Sequence, residues 1–454
     1  MVFLKVFDRS MIVINDVKVA QDLLDKRSAL YSSRPRPKML VDVMKIDYIF
    51  AFMPYGEEWR THRRLFQQYF SSRNVDTEQT AQLDFIRKGL LVNLYESPQK
   101  FPEHILNCIG GLIFATTYGL TIQRNKDPNV DLQEYVYGIS EGAAMPGRFL
   151  VDIIPWLKYV PEWMPGAGFK TLGRQWTKLL HRAMNEPYEA ALKVIDDGTA
   201  RECLVSWTLK QHRDQPGFDS IQERRIKQTA AVTYKAGTDT RVAALLTFVI
   251  AMLTHPDIQR KAQAEIDAVI GLGRLPDSSD IPHLPYLSAV VKELLRWNPI
   301  TPLGIPHVTS NEDVYGGIYI PKDCIVFANA YAMLHDEENF PDPEEFKPER
   351  FMRDGKLRTD VLDPETTATF GFGRRICPGA RIALSTVYLA IASILAAFDI
   401  LPDLDSEERP IKVEPKFFNS SIVSQPLPFP CRIVPRQDRN VDGLLKEYMG
   451  HDFI

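Results

Sequence analysis

The chain has 454 residues, 45% hydrophobic and 25% charged, with a formal net charge of −4. This ordinary globular composition carries no basic excess, which argues against nucleic acid as a partner, and its length alone would allow two or three domains. The five cysteines, Cys108, Cys203, Cys324, Cys377 and Cys431, are far apart and form no CxxC pair, which argues against a disulfide framework and a zinc site and fits a reducing compartment.

Val2 to Phe7 and Met11 to Ile14 are short apolar runs split by Asp8-Arg9-Ser10, a predicted hairpin. Asn15 can cap a helix running to about Lys26. Met1 to Ile14 carries Lys5, Asp8 and Arg9 and is too charged to span a bilayer, so no signal peptide or anchor is read there. Ser32 to Tyr55 mixes prolines, aromatics and polar residues and reads as loop. Glu57 to Phe70 reads as a helix on which Trp59 and Arg63 share a face. Alone, its basic stretch (Arg60, His62, Arg63, Arg64) reads as a solvated face. Thr80 to Lys210 is mostly helical in pattern, with breaks expected at Pro98, Pro128, Pro146 and Pro187. Within it, Phe149 to Phe169 combines Trp156, Trp163 and aliphatic residues with Pro155, Pro161 and Pro165. That stretch is too broken to span a membrane; it suits either a packed lid or the lipid–water interface.

Ile221 to Thr254 is the longest uninterrupted helical pattern, about 50 Å at a rise of about 1.5 Å per residue. Gly237 in its interior costs about 1 kcal/mol relative to alanine and so requires a local use. Around it stands Ala236-Gly237-Thr238-Asp239-Thr240; taken alone, an Asp-Thr pair on a helix reads as solvated surface. His255-Pro256-Asp257 starts another helix with proline in its first turn, ended by Gly271. Pro285 to Asn298 holds the next, stopped before Pro299, with Glu293 and Arg296 on one face. Pro299 to Pro306 should be extended, and His307 after it reads by itself as a satisfied strand histidine. Val314 to Ala330 predicts two strand pairs, around Gly316-Gly317 and Pro321-Lys322-Asp323. Ile382 to Leu401 has the length of a membrane span but contains Ser385, Thr386, Ser393 and Asp399, and reads as a buried core helix.

The most informative stretch is Phe370-Gly371-Phe372-Gly373-Arg374-Arg375-Ile376-Cys377-Pro378-Gly379, which leads into that helix. A cysteine at a helix N-terminus is biased toward the thiolate, the form that binds metal. Gly371, Gly373 and Gly379 strip side chains from the approach, and Arg375 adds a cation two residues from the sulfur. A large planar cofactor with an anionic edge suits such a site. The alternative for the decapeptide alone is a small buried cysteine after a turn.

Phe370, Gly373, Arg375, Cys377 and Gly379 fit the cysteine loop of the cytochrome P450 family, the haem-thiolate monooxygenases, and the chain resembles that family over nearly its whole length. The resemblance implies one mainly α catalytic domain over 1–454 with a smaller β region (α+β). It implies b-type haem (heme b) with Cys377 as axial ligand of the iron. Trp59 and Arg63 would donate to one propionate and His307 to the other. Ala236 and Gly237 would leave a gap over the flat ring, Thr240 would hydrogen-bond the oxygen being activated, and Asp239 would relay protons. Glu293, Arg296 and the arginine of Pro348-Glu349-Arg350-Phe351 would pin the meander before the cysteine loop. Ser32 to Tyr55 would fold over the pocket, and Phe417 to Pro430 would be the last pocket-lining turn, with Asn419, Ser420 and Ser421 at its tip. One departure is Arg241, where Thr or Ser is common. It is expected to point away and be inert, or else to pair with Asp239 and lower that acid's pKa.

By resemblance, one atom of O2 enters an apolar organic substrate and the other leaves as water. Electrons come from an NADPH-cytochrome reductase, with cytochrome b5 as a further donor, and Arg60, Arg64 and Arg381 are expected on the docking face. The style of the chain suits fungal secondary metabolism. The family expectation is the cytoplasmic face of the endoplasmic reticulum membrane. Microsomal members carry an anchor helix before the first hairpin, whereas this chain starts inside it, so it is either truncated or anchorless and cytoplasmic. Two rival readings are a haem-thiolate isomerase or dehydratase, against which Asp239 and Thr240 count, and a non-catalytic haem- or ligand-binding relative.

Overall fold

Apolar residues recur on every side of Ser220–Thr254, and a helix with that pattern has to lie inside. In the computed structural model, which describes residues 1–6, 9–70, 75–144, 147–418 and 422–451, this 35-residue helix is the axis of the main core. Asp219 caps it, accepting from the Ile221 and Gln222 N–H groups at 2.9 Å. The helices Phe101–Tyr118, Glu57–Tyr69 and Ala380–Ala397 pack against it. Both Ser220–Thr254 and Ala380–Ala397 are long and apolar enough to cross a membrane, and both are mostly buried within the protein. The expected helix over 382–401 stops at Ala397: Phe398 is extended, and Phe398–Leu401 pairs antiparallel with Arg432–Pro435.

The β part lies beside this bundle. Val2–Val6 and Arg9–Ile14 form the expected hairpin, with Val6 opposite Arg9 and Lys5 opposite Ser10. Arg9 and Ser10 therefore belong to the strand rather than the turn, while Phe7 and Asp8 lie outside the described residues. Ile325–Ala328 pairs parallel with Arg9–Ile14 and antiparallel with His307–Val308. Asp313–Tyr315 and Ile318–Ile320 make the predicted hairpin around Gly316-Gly317. The second predicted pair does not form, because Ile325–Ala328 is taken by the sheet, where it buries Val326.

Local deviations have identifiable causes. The first helix is capped by Asp16, which accepts from Val19 N at 2.7 Å; Asn15 instead accepts from Asn329. Within the expected loop 32–55, Met39–Val43 forms a short π-helical turn that buries Met39 and Leu40. Pro98 breaks the helical run and Pro128 starts a helix, Pro128–Ala144; Pro146 lies outside the described residues. Pro187 breaks nothing: it sits inside Gly168–Asp196. A proline cannot donate to the carbonyl four residues back, here Ala183 O, and Gln133 Nε2 donates to that oxygen at 2.6 Å instead.

The meander before the cysteine loop is fixed by Glu293, which is fully buried with Arg296. Glu293 accepts from Arg296 Nε at 2.8 Å, Arg296 Nη2 at 2.9 Å, Arg350 Nε at 3.0 Å and Lys347 N at 2.8 Å. The expected Glu–Arg–Arg cluster is present.

Candidate active site

The cysteine loop is closed on itself: Cys377 N donates to Phe370 O at 2.8 Å, and Ile376 N to Gly373 O at 3.1 Å. Its glycines serve different ends. Gly371 has φ +80° and Gly373 φ +53°, the region that favours glycine, and a Cβ on Gly373 would collide with the Leu24 carbonyl. Gly373 thus lets the loop seat on the first helix rather than clearing a cofactor's approach. Gly379 is the one beside the sulfur, where a Cβ would lie 4.0 Å from Cys377 Sγ.

Cys377 stands two residues before the N-cap of Ala380–Ala397. Its position alone predicts a depressed pKa, but the thiol is pushed up by burial, against the pull of the Gly379 N–H, Arg241 and Arg63. The residue is deep in the protein, yet its surface is accessible. Both hold for a side chain that faces an internal hollow. The long helix shows the same sign: Ala236 is exposed and Thr240 half-exposed, while Thr238 and Arg241 are buried. Thr240 Oγ1 donates to Ala236 O at 3.1 Å. Gly237 has a packing reason to be small, since a Cβ there would meet Ile113 Cδ1 at 2.9 Å. Asp239 is half-buried one residue before Thr240.

Beside the loop lies a set of cations. Arg375 is buried and donates to Ser32 O at 2.7 Å, Phe50 O at 3.2 Å and Met53 O at 2.5 Å. Its guanidinium lies 4.3 Å from the Trp59 ring centre, and Arg63 lies over the same ring at 5.5 Å. Arg63 Nη1 donates to Ile376 O at 2.8 Å, tying the 57–69 helix to the cysteine loop. A third guanidinium, Arg34, is buried, donates to Ile305 O and, at 3.0 Å, Pro306 O, and has an orphaned Nε. Sequence reading missed Arg34: an arginine before a proline in a loop carries no signal that it is buried.

None of the three touches a carboxylate among the described residues; their hydrogen bonds go to backbone carbonyls. Burial, and then Arg63, hold Arg375 down to about 9. Burial, and then Arg375, hold Arg34 well below the usual arginine range, and burial lowers Arg63. His307 is buried among them with Nδ1 2.7 Å from Tyr31 O. Because that oxygen only accepts, Nδ1 carries the proton, and Nε2 can donate to a carboxylate only as imidazolium. Burial, Arg34 and Arg375 hold that form well below its usual range.

A soft ligand facing a hollow, the accessible Ala236 and Thr240 on the long helix, and two buried cations and one half-buried one with no carboxylate partner among the described residues fit haem: sulfur for iron, guanidiniums for the propionate edge. The cytochrome P450 family profile matches residues 1–430, and the chain belongs to that family. It is 43% identical to a cytochrome P450 monooxygenase of Armillaria gallica, over 95% of this chain and 84% of that one. It is 41% identical to the cytochrome P450 monooxygenase ple1 of Rhodocybe pseudopiperita, over 94% and 81%, and 39% identical to the tryptamine 4-monooxygenase of Psilocybe cyanescens, over 94% and 83%. A zebra fish cytochrome P450 solved with progesterone superposes with TM-score 0.76 at 25% identity, over 96% of each chain. The protein is a haem-thiolate monooxygenase, an oxidoreductase that uses O2, a redox partner and an organic substrate.

Proposed function

We propose that the whole chain forms one catalytic domain that holds b-type haem through Cys377 and oxidises a small apolar molecule of fungal secondary metabolism. Haem, when bound, supplies activation of O2. Arg375, Arg63, Arg34 and Trp59 bind the propionates, with His307 joining as imidazolium once those carboxylates are beside it. Phe370, Gly373 and Gly379 shape the loop that presents the sulfur. Ala236 leaves the ring face open, while Gly237 is small for the sake of Ile113 rather than of the ring; Thr240 holds a proton toward the reacting oxygen after turning from Ala236 O, and Asp239 resupplies it. The name of the Psilocybe relative, a tryptamine 4-monooxygenase, is consistent with a small aromatic substrate.

The observation that carries this reading is the group of buried and half-buried guanidiniums beside the cysteine loop that have no carboxylate partner among the described residues. Its test is spectroscopic. Reduced protein with carbon monoxide should give the red-shifted band of thiolate ligation, and Cys377→Ala should lose it; a variant that keeps the band refutes the ligand.

Electrons come, in this reading, from an NADPH-cytochrome reductase, with cytochrome b5 as a second donor. Arg60, Arg64 and Arg381 are exposed cations for docking it, each softened by an acid: Glu57 at 3.0 and 3.9 Å, and Glu78 at 3.0 Å. Contact with the endoplasmic reticulum membrane is supported by two apolar exposures. Trp156, Tyr159 and Trp163 are 64%, 76% and 81% exposed, and Val2, Phe3, Leu4 and Val6 about half. An Arg9–Asp152 hydrogen bond joins the two regions. Liposome flotation tests this: protein that stays at the bottom has no such surface.

A further inference from the structure

The tryptophan-bearing segment around 155–163 carries charge as well as exposed rings, and beside it lies a cavity of about 490 Å³. Three stretches wall it: the turn Met39–Val43 with Lys45 just beyond, the segment 158–162, and the start of the helix Gly168–Asp196. Gly173 brings that helix against the turn. A Cβ there would meet Val43 Cγ1 at 2.6 Å and Met39 Cε at 3.3 Å, and one turn later Thr177 Oγ1 donates to Met44 O at 2.9 Å. This close approach seats Lys170 and Arg174, four residues apart on one helix face, in the same cavity as Lys45 and Lys158.

Four cations thus line the cavity against two acids, Asp42 and Glu162. Both acids are already engaged: Asp42 meets Lys158 at 2.7 Å and Lys38 at 3.8 Å, and Glu162 meets Arg174 at 2.5 Å. Lys170 donates to Val160 O at 2.5 Å, which holds the cation without offsetting its charge. Lys45 is exposed, and its side chain makes no hydrogen bond or ion pair among the described residues. Its φ of +58° lies in the left-handed region that a lysine seldom takes.

The excess charge calls for an anion, and the adjoining surface says which kind. Tyr159 is part of the cavity wall, Trp156 and Trp163 flank it in sequence, and all three rings are mostly exposed. Rings exposed to that degree find their match at the boundary of headgroup and acyl chain, which no free anion in solution supplies. A phosphate carried on acyl chains meets both requirements at once. We propose that this cavity is a site for the phosphate of an anionic lipid headgroup, held by Lys45, Lys170 and Arg174 while Trp156, Tyr159 and Trp163 lie at the membrane surface. This rests on the membrane contact proposed above and names the lipid which that contact selects.

The test is flotation of the purified holoprotein on vesicles of phosphatidylcholine alone and of phosphatidylcholine with phosphatidylserine at about four to one, read alongside the carbon monoxide band. Binding to the mixed vesicles should be tighter by about tenfold or more at low salt. Lys45→Gln combined with Lys170→Gln should remove that preference and leave both the band and binding to the neutral vesicles unchanged. Lys356→Gln, an exposed lysine outside the cavity, should keep the preference. A preference that survives the double substitution, or that falls equally with Lys356→Gln, overturns the proposal, because general surface charge then accounts for it. Equal binding of the wild-type protein to both vesicles overturns it and leaves the membrane contact standing; flotation with neither overturns both. Inorganic phosphate at the ionic strength of the chloride buffer should not displace the protein, and displacement would assign the cavity to free phosphate instead of lipid. Should the double variant lose the band, Lys45→Gln alone decides, since that side chain holds nothing else in place: it should weaken the preference about fivefold, and no weakening refutes the proposal.

Discussion

The protein buries two groups of arginines and completes them in opposite ways. Around Glu293, the guanidiniums of Arg296 and Arg350 meet a carboxylate whose oxygens also take the Lys347 N–H, and their remaining N–H groups end on carbonyls such as Leu334 O and Pro341 O. Around Arg375, the guanidiniums of Arg34, Arg63 and Arg375 end, among the described residues, on carbonyls. The first group needs nothing from outside and is scaffold. The second carries charge that its own hydrogen bonds do not neutralise, and in the proposed reading the propionates complete it. Burial of arginine is common to both; what separates structure from site is where the counter-charge comes from.

The largest effect should come from breaking the completed group. Glu293→Ala strands two buried cations and should cost about 3–5 kcal/mol, read as a collapse of the melting temperature and of the yield of folded apoprotein. Normal melting with altered turnover would show Glu293 to be part of the chemistry. Next, Arg375→Met should leave a folded apoprotein, destabilised by about 1–3 kcal/mol for its three stranded carbonyls. Haem affinity should fall at least tenfold, about 1.4 kcal/mol, so that the gap between holo and apo melting narrows. Equal haem affinity in titration would erase the distinction between the groups.

Thr240 stands outside both groups and separates holding from chemistry. Thr240→Ala should keep haem content and substrate affinity but send electrons to hydrogen peroxide, measured as peroxide formed per reductant consumed; full coupling to product would remove its role. The smallest effect belongs to an exposed arginine. Arg64→Glu should change stability by less than about 0.5 kcal/mol and slow reduction by the reductase only at low salt. A loss that persists at high salt would mean that Arg64 acts inside the protein.

What could be read in advance was what is local in sequence. The cysteine loop, the helix Glu57–Tyr69, the long helix with its Asp-Thr pair and the hairpin at Gly316-Gly317 each carry their signal within a few residues. What could not be read depends on a partner far along the chain. Pro187 looks like a helix break until Gln133 satisfies the carbonyl it abandons. Asn15 and Asp16 are equivalent caps until Asn329 claims the first. Gly373 resembles cleared space until Leu24 is found against it. Arginine is seldom buried, and nothing adjacent in sequence announces the burial of Arg34 or Arg241. Asn419, Ser420 and Ser421, expected at the last pocket-lining turn, lie outside the described residues.

The Leu24–Gly373 contact has a consequence for how the protein is made. The loop that presents Cys377 rests on Leu24, Arg375 hangs from the carbonyls of Ser32, Phe50 and Met53, and His307 is oriented by Tyr31 O. The cradle is therefore assembled from segments some three hundred residues apart in the sequence. During synthesis the early half waits without its counterpart through some three hundred residues of elongation, at about 5–20 residues per second. Haem held through Cys377 could be fully gripped only once that residue has been made. Through that interval Arg34 lacks the Pro306 carbonyl, and the Phe50 and Met53 carbonyls lack the Arg375 guanidinium, that they meet in the folded protein.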